Sequence, residues 1–198
     1  MASEKALKTR QSILDAARKI IIEEGIDALS MDHVAQSAGI SKGACMYHFK
    51  TKRALHLALI EDYADHLQTE LARHEALFTG TPDETFVPGF VEWFKSFDAD
   101  NHGWASFGIS LLSRFTYDDE LMAPVKNWYR RLYARIEILP EEKRVPTLMA
   151  VMTLEGFFYT HKFGLDLVDR KIKDGLWPFM TEEFLPTNAK RKPKRRGA

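Results

Sequence analysis

Apolar residues recur at helical spacing along almost the whole chain. Ile13, Leu14, Ala17, Ile20 and Ile21 form one apolar face, which Gly25 stops in the manner of a helix C-terminal glycine. Ser30 stands where an N-cap belongs, and Val34, Ala35 and Ala38 make the face of a short second helix ending at Gly39. Ser41 caps a third short helix that runs to about Phe49. Beyond the break at Lys50-Thr51, a long periodic run extends from Lys52 to about Ala76. The stretch from Thr79 to Asp83 reads as a hinge. Further helices are predicted near residues 86–98, 103–115, 118–138, 145–163 and 168–185, with Gly175 and Pro178 expected to kink or split the last. No period-two alternation is long enough for a sheet. The fold class is therefore all-α.

The two short helices joined by Ala38-Gly39-Ile40-Ser41 have helix-turn-helix spacing. Such a unit lays its second helix in the major groove of DNA. At about 100° per residue, Cys45 and Phe49 face inward with Ile40, and Gly43, Ala44, Met46 and Tyr47 face outward. That outward face is small, apolar and aromatic where a solvated face would carry charge, which suits close approach to base edges and thymine methyls. Lys42 at the helix start is placed to reach guanine or phosphate. Uncapped backbone N–H groups near Ser30, Ser41 and Lys52 offer phosphate sites. The competing reading is a helical hairpin that only packs.

The run from Gly39 to Lys52 closely resembles the recognition-helix signature of TetR-family regulators, and Ile13 to Ala17, Gly25 and Leu29 to Ala35 match that family's first two helices in order and spacing. The resemblance covers about residues 9–60. It implies a three-helix helix-turn-helix DNA-binding head (1–51), joined by a long helix to a helical effector-binding and dimerisation body (52–189), with a basic disordered tail (190–198). It also implies a homodimer, a double-stranded DNA operator and a small-molecule effector. By position, Ser30, Ser41, Lys42, Gly43, Ala44, Met46, Tyr47, His48 and Lys52 are expected at the DNA. Family members usually carry a Tyr where this chain has Met46, which leaves Tyr47 or His48 to hold the phosphate. Asp32 is read as a helix-start residue favoured by the dipole.

Charge adds to this picture. The chain has no net charge, yet residues 1–53 hold 9 Lys/Arg against 6 Asp/Glu, residues 54–189 hold 13 against 22, and the tail holds six basic residues and no acid. Basic ends on an acidic middle suit a protein that presents one end to a polyanion. The lone Cys45 excludes an internal disulfide or a cysteine zinc cage, and no metal or cofactor is expected. With no secretory leader and no long apolar run, the chain reads as cytoplasmic, without a membrane partner.

Aromatic residues crowd the middle of the chain. An apolar or aromatic effector is expected near Trp93, Phe97, Trp104, Phe107, Glu155 and Phe158. Glu155 stands out as an acid inside an otherwise apolar helix, where it needs a partner, a proton or a ligand. The helix near 145–163 is apolar nearly all round, as a dimer interface or a central core helix would be. No phosphate loop, zinc-protease motif or nucleophile elbow is present, so no catalytic residues are expected. The leading reading is a repressor released from a palindromic operator by its effector. The alternative is a helical ligand-binding or enzymatic protein whose helix-turn-helix serves protein contacts.

Overall fold

The computed structural model describes residues 4–99, 103–165, 167–184 and 188–193, except for the side chains of 97–99 and 183–184. Among these residues nine α-helices follow in order: α1 (Glu4–Glu24), α2 (Met31–Ser37), α3 (Lys42–His48), α4 (Lys52–Glu75), α5 (Pro82–Ala99), α6 (Trp104–Phe115), α7 (Asp119–Glu137), α8 (Glu141–Lys162) and α9 (Arg170–Pro178). The all-α expectation holds. Helix α5 starts four residues before the predicted position. Pro82 occupies the first helical position, Asp83 and Glu84 fill the first turn, and the Glu84 carboxylate accepts the Thr81 N–H at 2.9 Å, half of a capping box. Gly175 does not split α9. Pro178 ends it, and a π-helical turn, Phe179–Phe184, continues the chain.

The chain divides into two compact units, one of residues 1–65 with 102–127 and one of 66–101 with 128–198. Helices α4 and α7 contribute residues to both. In the first unit Ile13, Leu14, Ala17, Ile20 and Ile21 of α1 are all buried, and Val34, Ala35, Cys45, Phe49, Leu55 and Leu59 join them in one core. Each of the Ile, Leu, Val and Phe side chains among them contributes about 1.5–3 kcal/mol on burial. Helix α6 packs across α1: the Arg18 guanidinium lies 4.2 Å from the Trp104 ring centre, and Phe107 is fully buried against Tyr63. Gly108 permits this packing, since a β-carbon there would run into the Tyr63 ring.

The second unit is built on α5 and α8 with the last part of α7. Phe86, Phe90 and Trp93 are buried along α5, and Trp93 meets Trp128 at 6.1 Å between ring centres. Arg135 pairs with Glu75 at 2.7 Å and stacks on Phe86 at 4.4 Å. The expected disorder of the basic tail fails at its start. Strand β1 (Phe78–Thr79) pairs antiparallel with β2 (Lys190–Arg191), and Arg191 reaches Glu92 at 2.9 Å. Backbone pairing and one acid neighbour order a segment that composition alone reads as solvated. Residues 194–198 lie outside the described part.

Candidate nucleic-acid interface

Both short helices are capped as their sequences predict. Ser30 accepts the His33 N–H and Ser41 accepts the Ala44 N–H, each at 3.1 Å. Thr51 does the same for the Ala54 N–H at the start of α4, at 3.0 Å. One N–H of each first turn is thus satisfied by a side chain, and among the described residues the other first-turn N–H groups have no such cap. Gly39 turns the chain between α2 and α3 at φ +67°, a left-handed conformation that a side chain disfavours.

Helix α3 has the predicted two faces. Cys45 and Phe49 are buried, and burial pushes the Cys45 thiol above its ordinary pKa. On the other side Tyr47 is 79% exposed and Met46 is 42% exposed. Gly43 opens on free space, with only the Ser41 hydroxyl within 4 Å of where a β-carbon would stand. Ala44 and His48 are half-buried at its margin, and the His48 ring meets Tyr47 edge-on at 5.3 Å. Lys42 is not a free cation: it pairs with Asp32 of α2 at 2.8 Å. Asp32 thus has a role the sequence did not reveal, in addition to its place in the first turn of α2. Lys52 is exposed at the first position of α4.

The six residues expected around an effector are not gathered within either unit. Trp104 and Phe107 belong to the first, where they pack with Tyr63 and Arg18. Trp93, Glu155 and Phe158 belong to the second, and the side chain of Phe97 lies outside the described part. Trp93, 2% exposed, fills core between Phe90, Phe94 and Trp128. Phe158 meets Phe94 at 6.1 Å.

Glu155 is the unusual group. Burial pushes its carboxyl up to about 7, opposed by a hydrogen bond with Tyr129. The same Tyr129 hydroxyl bonds Tyr159, and burial, then the charge of Glu155, raise the phenol pKa of both Tyr133, to about 12, and Tyr159. An acid bordered by three phenols has formed, and Tyr133 also lines a hollow of about 410 Å³ with Ile136, Val145 and Leu148. In the sequence the three tyrosines do not stand out as a polar group, because their aromatic rings read as core. Among the described residues no cluster of His, Cys, Asp or Glu could hold a metal ion.

Residues 13–59, which hold this capped pair of helices, match the family model of bacterial regulatory proteins of the tetR family. Over this region the chain is similar to the TetR family. The HTH-type transcriptional activator FasR of Mycolicibacterium smegmatis is 29% identical over 117 residues, 59% of this chain and 52% of FasR. The HTH-type transcriptional repressor Rv1474c of Mycobacterium tuberculosis is 32% identical over 87 residues, 44% of this chain and 46% of that protein. The chain thus spans about half the length of the curated relatives it matches. The fold extends further than the sequence likeness. The TetR-family structure SCO1917 from Streptomyces coelicolor superposes with a TM-score of 0.70, covering 87% of this chain and 98% of that one at 19% identity. Among the described residues no helix is long and apolar enough to cross a membrane.

Proposed function

We propose that this chain is a sequence-specific DNA-binding regulator of the TetR type, a repressor that leaves a palindromic operator when a small apolar or aromatic effector binds. The observation that carries the reading is the exposed face of α3. Gly43, Met46 and Tyr47 present a surface with almost no charge and no steric bar, on a helix whose other side is anchored by Cys45 and Phe49. A helix of this kind enters the major groove closely, with Ala44 and His48 at the edges. Ser30, Ser41, Lys42 and Lys52 stand at three helix starts, where side chains and remaining N–H groups suit phosphates. In this reading the division at residue 51 separates what touches DNA from what binds effector and partner.

Two further parts of the reading have support in the second unit. Val145, Leu148, Met149 and Met152 are exposed along α8 at spacings of three, one and three residues, a stripe that a second copy of the chain would cover. The carboxyl of Glu155 among Tyr129, Tyr133 and Tyr159, next to Phe158, provides polar and aromatic groups for an effector that is neutral or cationic.

Selection of bound sequences from a random DNA pool, followed by anisotropy titration of the selected duplex at several salt concentrations, tests the function. A palindromic consensus and a steep fall of affinity with salt are expected. Equal, salt-insensitive affinity for all duplexes would overturn it and favour a helix-turn-helix that binds protein.

A further inference from the structure

In the first unit, a hollow of about 600 Å³ opens between the start of α4 and the α6–α7 turn, within the size range of small-molecule sites. Its charge is lopsided. Lys52 and Arg53 from α4 and Arg114 from α6 line it, with Asp118 as the one lining acid. Asp118 is already committed: it holds Arg53 through two contacts, at 2.5 and 3.1 Å, and accepts the Leu121 N–H at the start of α7. Glu120 completes the clamp on Arg53 at 2.6 Å. Among the described residues the acid paired with Arg114 is Asp27, loosely, at 3.7 Å, with Asp27 almost fully exposed. Among the described residues no ion pair is recorded for Lys52.

His56 lies one turn along α4 from Lys52, tilted against Phe115 at 4.8 Å between ring centres. Its Nε2 is buried and has no hydrogen-bond partner. Buried polar atoms are nearly always paired, so an orphan of this kind marks a place where a partner is missing. The ring also registers the local field: burial, then Lys52, Arg114 and Arg53, lower its pKa to about 4. At neutral pH it is an uncharged imidazole, able to donate one N–H to an anion. The rest of the wall is apolar, formed by Phe115, Leu121 and the ring of Tyr117.

We propose that this hollow binds a small organic carboxylate, its head held by Lys52, Arg114 and His56 and its apolar part against Phe115, Tyr117 and Leu121. An anion with an apolar tail satisfies all the unmatched features at once: two underpaired cations, one orphan nitrogen and a greasy wall. A phosphate of a DNA backbone would meet the cations but leave the wall and the buried nitrogen unused. This inference goes beyond the DNA-binding reading and does not depend on it. The two meet at Lys52, which a bound carboxylate would draw away from DNA.

The test uses the full chain at pH 7 with phenylbutyrate as probe and phenylbutanol as its uncharged counterpart. Calorimetry is expected to give saturable binding of phenylbutyrate, at least about tenfold tighter than phenylbutanol. The side-chain nitrogen resonance of His56, assigned by its loss in His56→Gln, is expected to move with the same saturation curve. Arg114→Gln, at an exposed side chain that leaves the fold intact by thermal denaturation, is expected to weaken phenylbutyrate by about tenfold or more. Absence of saturable binding up to about 20 mM overturns the proposal, because it sets the site below useful affinity. So does equal binding of the alcohol, an unmoved His56 resonance, or an Arg114→Gln variant that binds as before. An equal His56 shift with inorganic phosphate removes the role of the apolar wall. An equal shift with a DNA duplex assigns the hollow to backbone contact. Either result also overturns it.

Discussion

The ammonium of Lys42 lies 2.8 Å from a carboxylate oxygen of Asp32, tying the start of α3 to the first turn of α2. Both side chains are more than half exposed, so the pair contributes little to stability, about 0–1 kcal/mol. In the proposed complex its effect falls on DNA instead. Asp32 holds a negative charge beside the cation best placed to meet phosphate or guanine, and it must give up that cation for Lys42 to bind. Asp32→Ala is therefore expected to raise affinity for all duplexes and to steepen the salt dependence by up to about one contact. Anisotropy titration across salt concentrations reads both. An unchanged slope would mean that Lys42 stays away from the backbone.

Gly43→Glu should separate stability from function. The new side chain meets nothing closer than the Ser41 hydroxyl at 3.9 Å from its β-carbon, and a glutamate replaces a glycine near a helix start. Helix propensity and the dipole favour the change by up to about 1 kcal/mol. The same side chain adds bulk and negative charge where α3 would enter the groove. Operator affinity is expected to fall below detection while the urea midpoint stays level or rises. Retained affinity would show that this face does not meet DNA.

Gly108→Ala addresses the first unit's core. A β-carbon at 108 collides with the ring of Tyr63, which is itself held between Trp104 and Phe107. Overpacking of this kind costs about 1–3 kcal/mol. Urea denaturation should register the loss, and no loss would mean that the α4–α6 packing adapts freely.

Glu155 should make stability depend on pH. Its folded-state pKa, about 7, is above the ordinary 4.5, so the native state favours the protonated acid. The resulting contribution is fully present below about pH 4.5 and is lost as pH rises through about 7, a change on the order of 3 kcal/mol. Glu155→Gln should flatten this part of the profile. Denaturation midpoints measured from pH 5 to about 8 check it, and identical slopes in both proteins would mean that Glu155 titrates as an exposed acid.

The apolar stripe on α8 predicts an association equilibrium. Met149→Asp with Met152→Asp places two charges on side chains that are 54% and 43% exposed in one copy of the chain. The pair should leave the secondary structure intact and shift sedimentation to the monomer. Sedimentation unchanged from the parent would move the dimer contact elsewhere or remove it.

Helix-turn-helix geometry was legible in the residues themselves because it depends on near neighbours. Ser30 and Ser41 act on N–H groups three positions away, Gly39 relieves one backbone angle, and period 3.6 puts Cys45 and Phe49 opposite Tyr47. The long-range features were not legible. Lys42 pairs with a residue ten positions back, Arg114 comes to His56 across 58 residues, and Lys190 and Arg191 reach a strand more than 110 residues earlier. The aromatic residues show the same limit. Trp104 and Phe158 have the same apolar ring character in the sequence, but packing assigns one to a core with Tyr63 and the other to the surroundings of Phe94. Local hydrogen bonds and helical period thus determined the two capped helices of the helix-turn-helix from sequence alone. Only tertiary structure decided which charges are paired and which rings are core, because burial and field strength depend on neighbours brought together from distant parts of the chain.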